Sequence, residues 1–226
     1  SGTSNIGANV TTSGAQTYAG AVTLSGGDRT LTGAIINTQS TLAGGSSALT
    51  ITGAADIDGA FTGITNLSVS GTSNIGANVT TTGMQTYSGA VTLSGGDRTL
   101  TGTTVNTQST LAGGSNALTI TGAADIDGAF TGLTALSVSG TSNIGANVTT
   151  SGAQTYTGAV TLSGGDRVLT GSTVNTQSTL AGGNNALTIT GAADIDGAFT
   201  GLTALSVSGT SNIGANVTTS GTQTYA

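Results

Sequence analysis

The chain is built from near-identical copies of one 69-residue unit. The segment VTLSGGDR at Val22–Arg29 returns unchanged at Val91–Arg98 and Val160–Arg167. The first and second units differ at nine positions, and the second and third units differ at six. Stacked repeats give every copy the same surroundings, whereas a globular core gives each residue a unique position. The repetition therefore predicts an array of stacked units.

The array extends from one end of the sequence to the other. We expect one continuous solenoid domain over residues 1–226, with repeats at 1–69, 70–138 and 139–207 and a partial repeat at 208–226. Neither end shows a divergent polar unit of the kind that caps stacked repeats. We therefore expect the chain to be a fragment of a longer array.

The composition argues against several classes of function. All nine acidic residues are Asp, the three basic residues are Arg, and Lys, Glu, His and Cys are absent. So few Arg form no basic patch for nucleic acid, and no apolar run approaches the roughly 18 residues of a membrane-spanning segment. Enzymes that act on polysaccharides use clustered carboxylates with His or Lys nearby. We therefore predict no catalytic residues, no enzyme activity, no nucleic-acid partner and no membrane-spanning segment.

Short alternating segments fill each unit between glycines. All 39 Gly residues fall at twelve fixed positions of the unit, and segments such as AVTLSG, ALTITG and LSVSG lie between them. Alternation of apolar and polar residues over four to six positions indicates short β-strands joined by tight turns. The alternation predicts that one set of side chains points inward: Val22, Leu24, Leu49, Ile51, Leu67 and Val69. The polar set between them would point outward: Thr23, Ser25, Thr50, Thr52, Ser68 and Ser70.

Differences between the copies support this division. Ile36 becomes Val105 and Val174, so an inward position stays aliphatic. Ile35 becomes Thr104 and Thr173, as a solvent-facing position can. The same argument places Ile64, Leu133 and Leu202 inside, and it places two further sets outside: Ala19, Ser88 and Thr157, and Ala34, Thr103 and Ser172. One Tyr and one Phe recur with the unit at inward-pointing positions of the alternation, and we predict that they fill the core. These residues are Tyr18, Tyr87, Tyr156 and Tyr225, with Phe61, Phe130 and Phe199.

These features predict an all-β fold, a parallel β-helix or β-solenoid. A closed barrel or sandwich would give each copy a different position, whereas a solenoid lets each coil contact only its neighbours. At about 18–24 residues per coil, one unit makes three or four coils, and at about 4.8 Å per coil it advances roughly 15–19 Å. The coil boundaries remain open at this stage, because Ala34–Gly53 interrupts the six-residue spacing of glycines.

The segments NVTTSGAQTYAGAVTL (Asn9–Leu24), RTLTG, ALTITG and LSVSGTSNIGANVTT resemble the repeats of filamentous-haemagglutinin-like large exoproteins of Gram-negative bacteria. The resemblance implies a right-handed β-helix that forms the shaft of a secreted or surface-bound adhesin. The amino-terminal secretion domain of that family is not found in this sequence. NIGANV at Asn5–Val10 also resembles one hexapeptide of left-handed β-helical acyltransferases, although it occurs once per unit.

Two kinds of side chain are candidate sites. Carboxylates alternate in the segment AADIDG and could offer oxygen ligands to Ca²⁺, although six to eight ligands are needed; they are Asp56, Asp58, Asp125, Asp127, Asp194 and Asp196. We expect a solvated acidic surface without a metal or cofactor, with a calcium site as the alternative. Each N-V-T segment is expected to place its Asn as a stacked turn residue, with glycosylation of the sequon as the alternative; the residues are Asn9, Asn78, Asn147 and Asn216. Asp28–Arg29 follows two glycines and predicts a charged turn, with an ion pair to another coil as the alternative.

The pattern favours a structural protein over a binding module or an enzyme. We expect an extracellular or cell-surface bacterial protein that forms a rigid rod, shaft or filament. Its expected partner is itself, end to end or side by side. The alternative is a ligand-binding solenoid surface for carbohydrate, another cell surface or ice. An ice-binding face needs Thr-x-Thr on every coil, whereas the outward pairs in this sequence mix Thr, Ser and Asp.

Overall fold

The computed structural model describes residues 2–226 and contains only β-strands and turns in that range. Its 24 strands form one sheet system in which every pairing is parallel. The strands of the first unit are β1 (Ser4–Ile6), β2 (Val10–Thr11), β3 (Gln16–Tyr18), β4 (Val22–Leu24), β5 (Arg29–Thr38), β6 (Leu42–Ile57) and β7 (Phe61–Val69).

The later units repeat this set of strands. The second unit contains β8 (Ser73–Ile75), β9 (Val79–Thr81), β10 (Gln85–Tyr87), β11 (Val91–Leu93), β12 (Arg98–Thr107), β13 (Leu111–Ile126) and β14 (Phe130–Val138). The third contains β15 (Ser142–Ile144), β16 (Val148–Thr150), β17 (Gln154–Tyr156), β18 (Val160–Leu162), β19 (Arg167–Thr176), β20 (Leu180–Ile195) and β21 (Phe199–Val207). The partial unit contains β22 (Ser211–Ile213), β23 (Val217–Thr219) and β24 (Gln223–Tyr225).

The pairing register gives the length of each coil. Eleven successive pairings lead from Ser4 to Ile213, and each step covers 18–21 residues. The chain therefore winds through about twelve coils, as a β-solenoid. The inward residues along this path are Ser4, Val22, Leu42, Phe61, Val79, Leu100, Ile120, Val138, Tyr156, Thr176, Ile195 and Ile213.

Each coil contributes one strand segment to each of three hydrogen-bonded ladders. In the first coil, β1 starts the first ladder, β2 the second and β3 the third. The long strands bend without ending: β5 serves two ladders, β6 serves all three and β7 serves two. One unit therefore supplies eleven segments. Because each coil uses three segments, one unit makes three and two-thirds coils.

Because one unit makes two-thirds of a coil more than three whole coils, each unit begins on a different ladder from the unit before it. The SNI segment lies on the first ladder at Ser4, on the third at Ser73, on the second at Ser142 and again on the first at Ser211. At about 4.8 Å per coil, one unit advances about 18 Å and twelve coils span about 58 Å. The prediction of three or four coils per unit is confirmed.

The interior is a continuous apolar core. The inward aliphatic side chains predicted from alternation are buried, and so are Ile36, Ile64 and their copies. Phe61, Phe130, Phe199, Tyr87 and Tyr156 are completely buried. Tyr18 is only partly buried, and Tyr225 is 38% exposed because no coil follows β24 in this chain. The predicted inward and outward positions are thus confirmed, with lower burial in the first and last coils.

A polar Gln–Tyr pair is built into this core in both the second and the third unit. Gln85 and Tyr87 are both fully buried, and the Tyr87 hydroxyl donates to Gln85 Oε1 at 2.9 Å. Gln85 Nε2 donates to the carbonyl oxygens of Thr101 and Val79 at 2.7 and 3.1 Å. Gln154 and Tyr156 repeat the arrangement. The Gln85 amide donates to backbone carbonyl oxygens that a bend in the chain leaves without a partner, and its oxygen accepts from the Tyr87 hydroxyl. The Tyr87 hydroxyl is therefore buried with a hydrogen-bond partner.

Candidate functional surface

Three stacked side chains on each face form a hydrogen-bonded tier. In the second ladder, Asn106, Asp125 and Asn143 occupy the same outward position of successive coils. Asn106 Nδ2 donates to Asp125 Oδ2 at 2.5 Å, and Asn143 Nδ2 donates to Asp125 Oδ1 at 2.8 Å. The third and first ladders carry the copies, which are Asn37–Asp56–Asn74 and Asn175–Asp194–Asn212.

The tiers contain three of the six carboxylates that were candidate calcium ligands. Both oxygens of Asp56, Asp125 and Asp194 accept amide hydrogen bonds from the coils on either side. Their neighbours Asp58, Asp127 and Asp196 are exposed at the bends that follow. Within residues 2–226, no group of three or more acidic side chains comes close enough to hold a metal ion. That these carboxylates bind no Ca²⁺ stays a prediction, and amide hydrogen bonds stabilise Asp125 without a cation.

The predicted charged turn lies at a bend between two ladders. Gly26 and Gly27 have φ angles of 73° and 105°, which glycine adopts at least cost. Asp28 Oδ1 accepts a hydrogen bond from the Ala48 backbone N–H of the next coil at 2.8 Å. The Arg29 guanidinium donates to the carbonyl oxygens of Ile6, Asp28 and Ser25. Turn formation is confirmed, and Arg29 binds backbone oxygens of its own and the preceding coil.

The sequon asparagines also bind the backbone of the next coil. Asn9 Oδ1 accepts a hydrogen bond from the Thr30 N–H at 2.9 Å, and Asn78 and Asn147 make the same contact to Thr99 and Val168. This contact assigns the side chain a structural role at each bend. Glycosylation at Asn9, Asn78, Asn147 and Asn216 stays an untested alternative.

The flat part of each face carries two columns of outward hydroxyl groups over four coils. We call this the hydroxyl patch. On the first ladder its columns are Thr99, Thr119, Ser137, Thr155 and Thr101, Thr121, Ser139, Thr157. Copies lie on the other two ladders, with Val168 and Ala226 in place of two hydroxyl residues on the third. On the second ladder the patch is continuous with the Asn106–Asp125–Asn143 tier, because Thr86 lies one coil before Asn106.

Unpaired charge lies at the bends rather than on these faces. Asp28 and Asp58, with their copies in the other units, are exposed between ladders. The only acidic side chains on the flat faces are those of the Asn–Asp–Asn tiers. Each face is therefore a mostly neutral, hydroxyl-rich strip between edges that carry the charged side chains.

A shallow groove beside the patch occurs at equivalent positions of the second and third units. Ser115, Gly132, Leu133, Thr134 and Thr149 line a groove of about 240 Å³, together with Thr150 and Ser151. The equivalent groove in the next unit has the same volume and lies at Asn184, Gly201, Leu202, Thr218, Thr219 and Ser220. Ser115 has a φ of 62° and Gly132 one of 65°, so the chain turns sharply and leaves the depression open.

The sequence patterns identified the carboxylates of the tiers but not their amide partners. Asn106 and Asn143 lie 19 and 18 residues from Asp125. These distances are one coil length, so a search for oxygen-rich residues at coil spacing would have found them. Gln85 was missed as well, although it has the same inward parity as Tyr87 and lies two residues before it.

Comparisons with known proteins identify no relative. No protein family model, no curated protein and no solved structure matches this chain. Within residues 2–226, no helix is long and apolar enough to cross a membrane. The class that the fold defines is therefore a β-solenoid built from tandem repeats.

Proposed function

We propose that the chain is part of a rigid, non-enzymatic shaft in an extracellular bacterial fibre or adhesin. The observation that carries this proposal is the uninterrupted stack of about twelve coils, in which three ladders continue across every boundary between units. A rod of this kind resists bending, because bending would require hydrogen bonds of a whole ladder to lengthen together. Its length increases by about 18 Å with each added unit.

The composition supports an exposed, extended role. Hydroxyl and amide groups cover the surface, and the chain has no Cys that could mispair during export. The likeness of the repeats to haemagglutinin-like exoproteins supports an adhesin and a cell-surface location.

Small-angle X-ray scattering tests the rod. We expect the 226-residue chain to give a rod about 60 Å long, and a chain with one added unit to be about 18 Å longer with the same cross-section. A compact particle whose radius grows in all directions would contradict the proposal.

Antibodies against the chain should label intact cells of the organism that encodes it, and labelling only after lysis would contradict the surface location.

A second candidate function is recognition of carbohydrate by the recurring groove. The groove at Ser115 and Thr134 presents hydroxyl groups that can hydrogen-bond to the hydroxyl groups of a sugar ring. One weak site per unit would gain strength through multivalency. Titration with neutral oligosaccharides tests it: Thr149→Ala and Thr218→Ala together should weaken binding, whereas Thr110→Ala at a bend should not.

A further inference from the structure

The step of three and two-thirds coils makes the three faces of the rod equivalent. A turn by one third of a revolution, combined with an advance of about 18 Å, carries each unit onto the next. Thr50, Thr119 and Thr188 illustrate the relation, because they occupy the same position of the unit and lie on the second, first and third ladders. Any contact that one face makes is therefore available to all three faces.

The chemistry of a face allows it to contact a copy of itself. Each hydroxyl group can donate and accept a hydrogen bond, so two hydroxyl patches complement each other without a separate partner surface. The exposed carboxylates of Asp28 and Asp58 lie at the bends, outside the flat strip. Two faces can therefore meet while these carboxylates remain in water.

The area of a face sets how many units are needed. With strand segments about 13 Å wide, one unit offers about 230 Å² on each face and twelve coils offer about 750 Å². Specific protein interfaces bury about 800 Å² per partner. One unit is too small to hold a neighbour, whereas the three units of this chain are close to sufficient.

From these observations we propose that each face docks a further copy of the same chain, side by side. The proposal rests on the rod function and names the partner of that rod as a second copy. A rod can hold neighbours on three sides, and equivalent contacts on adjacent faces are displaced by about 18 Å along the axis. The net charge of −6 opposes this contact. Because salt screens repulsion between like charges, association strengthens as salt is added.

Sedimentation velocity on the 226-residue chain tests this docking. We expect the average sedimentation coefficient to rise with protein concentration, and to rise at lower concentration in about 1 M salt than in about 0.05 M salt. A chain that stays monomeric at every concentration and salt level would overturn the proposal. In that case a rod-shaped scattering profile would leave the shaft function in place, so the two failures are distinguishable.

Charged substitutions identify the surface. The triple variant Thr50→Lys, Thr119→Lys, Thr188→Lys places one ammonium group in the middle of each face, and half-association should need at least about tenfold more protein. The matched control is Thr41→Lys, Thr110→Lys, Thr179→Lys, which adds the same charge at three exposed bends. The control should associate at least as well as the unsubstituted chain, because it lowers the net negative charge.

A single substitution tests the equivalence of the faces. Thr119→Lys alone leaves two faces free, so association should persist, and Thr50→Lys or Thr188→Lys should give the same result. Circular dichroism confirms that each variant is folded. Loss of association in the bend control, or full association in the triple face variant, would overturn the proposal.

Discussion

Polar side chains inside a solenoid find their partners in their own coil or in an adjacent one, because water is excluded from the core. Gln85 binds backbone carbonyls and accepts a hydrogen bond from Tyr87, so both groups are satisfied. Ser142 differs, since its hydroxyl oxygen is buried and has no hydrogen-bond partner. A buried group without a partner costs more than it contributes. Ser142 is therefore a position where the chain gives up stability.

Replacement of Ser142 by Ala should raise the free energy of unfolding by up to about 1 kcal/mol, because it removes an unpartnered hydroxyl from the core. Ser139 provides the matched control, because its Oγ accepts a hydrogen bond from the Gly122 N–H at 3.0 Å. Ser139→Ala should lower the free energy of unfolding by roughly 1 kcal/mol. Denaturant titration measures both values. Equal destabilisation by the two substitutions would show that the Ser142 hydroxyl has a partner in solution.

Chelation tests the carboxylates of the tiers. Because amides already bind both oxygens of Asp125, we expect EDTA to leave the melting temperature unchanged and added Ca²⁺ to leave it unchanged as well. A cation bound to the folded chain would raise the melting temperature as its concentration increases. A fall of several degrees with EDTA, restored by Ca²⁺ and not by Mg²⁺, would establish the calcium site.

At the scale of strands, alternation in the sequence was enough to predict which side chains are buried. Val22, Leu49 and Ile51 are inward because period-two alternation follows directly from strand geometry. The three-ladder arrangement could not be predicted, because β6 bends twice within one continuous strand. The tiers were missed for the same reason: pairing Asn106 with Asp125 requires the coil length, which alternation does not provide.

Two adjacent residues of β6 test the parity of the strand. Ile51 is 1% exposed, whereas Thr50 faces outward in the hydroxyl patch of the second ladder. Ile51→Asp should lower stability by several kcal/mol, because it buries a charge without a partner. Thr50→Asp should cost less than about 1 kcal/mol, as most exposed substitutions do. Denaturant midpoints measure the difference, and similar losses for the two variants would contradict the assigned parity.

Because of the two buried tyrosines, we expect the free energy of unfolding to fall at alkaline pH. Burial raises the pKa of Tyr87 and Tyr156 far above the ordinary value of 10.0. A raised pKa means that the folded state holds its proton more tightly, so stability is complete below pH 10 and falls as the pH rises above it. The double variant Tyr87→Phe, Tyr156→Phe should lose less stability between about pH 9 and pH 11.5. Tyr225→Phe, at an exposed position, should change the pH profile little.

For the whole molecule, two requirements can be separated. Each segment must lie beside the same neighbouring segments as its copies do, and the segments must fill whole coils of three. Neighbour contacts follow the unit of 69 residues, whereas the ladder that a segment joins follows the count of three segments per coil. Since eleven is not a multiple of three, the array can keep all its neighbour contacts only by rotating each unit. In a stacked-repeat protein, stability depends on these nearest-neighbour contacts.

Two internal deletions separate the two requirements. Deletion of residues 70–138 removes one unit and joins Val69 to Ser139, which restores the sequence context of every boundary. Deletion of residues 73–129 removes nine segments, which is three whole coils, and keeps residues 70–72 as the bend, so each later segment stays on its ladder. It joins Thr72 to Phe130 and brings together segments that are not neighbours in the intact chain, so Asp56 loses its bond from Asn74. We expect the unit deletion to unfold cooperatively at a modestly lower denaturant concentration, because fewer coils remain. The three-coil deletion should unfold at a clearly lower concentration although it removes fewer residues. If the three-coil deletion were the more stable of the two, whole coils would contribute more to stability than the identity of neighbouring segments. The rotation of each unit would then have no energetic basis.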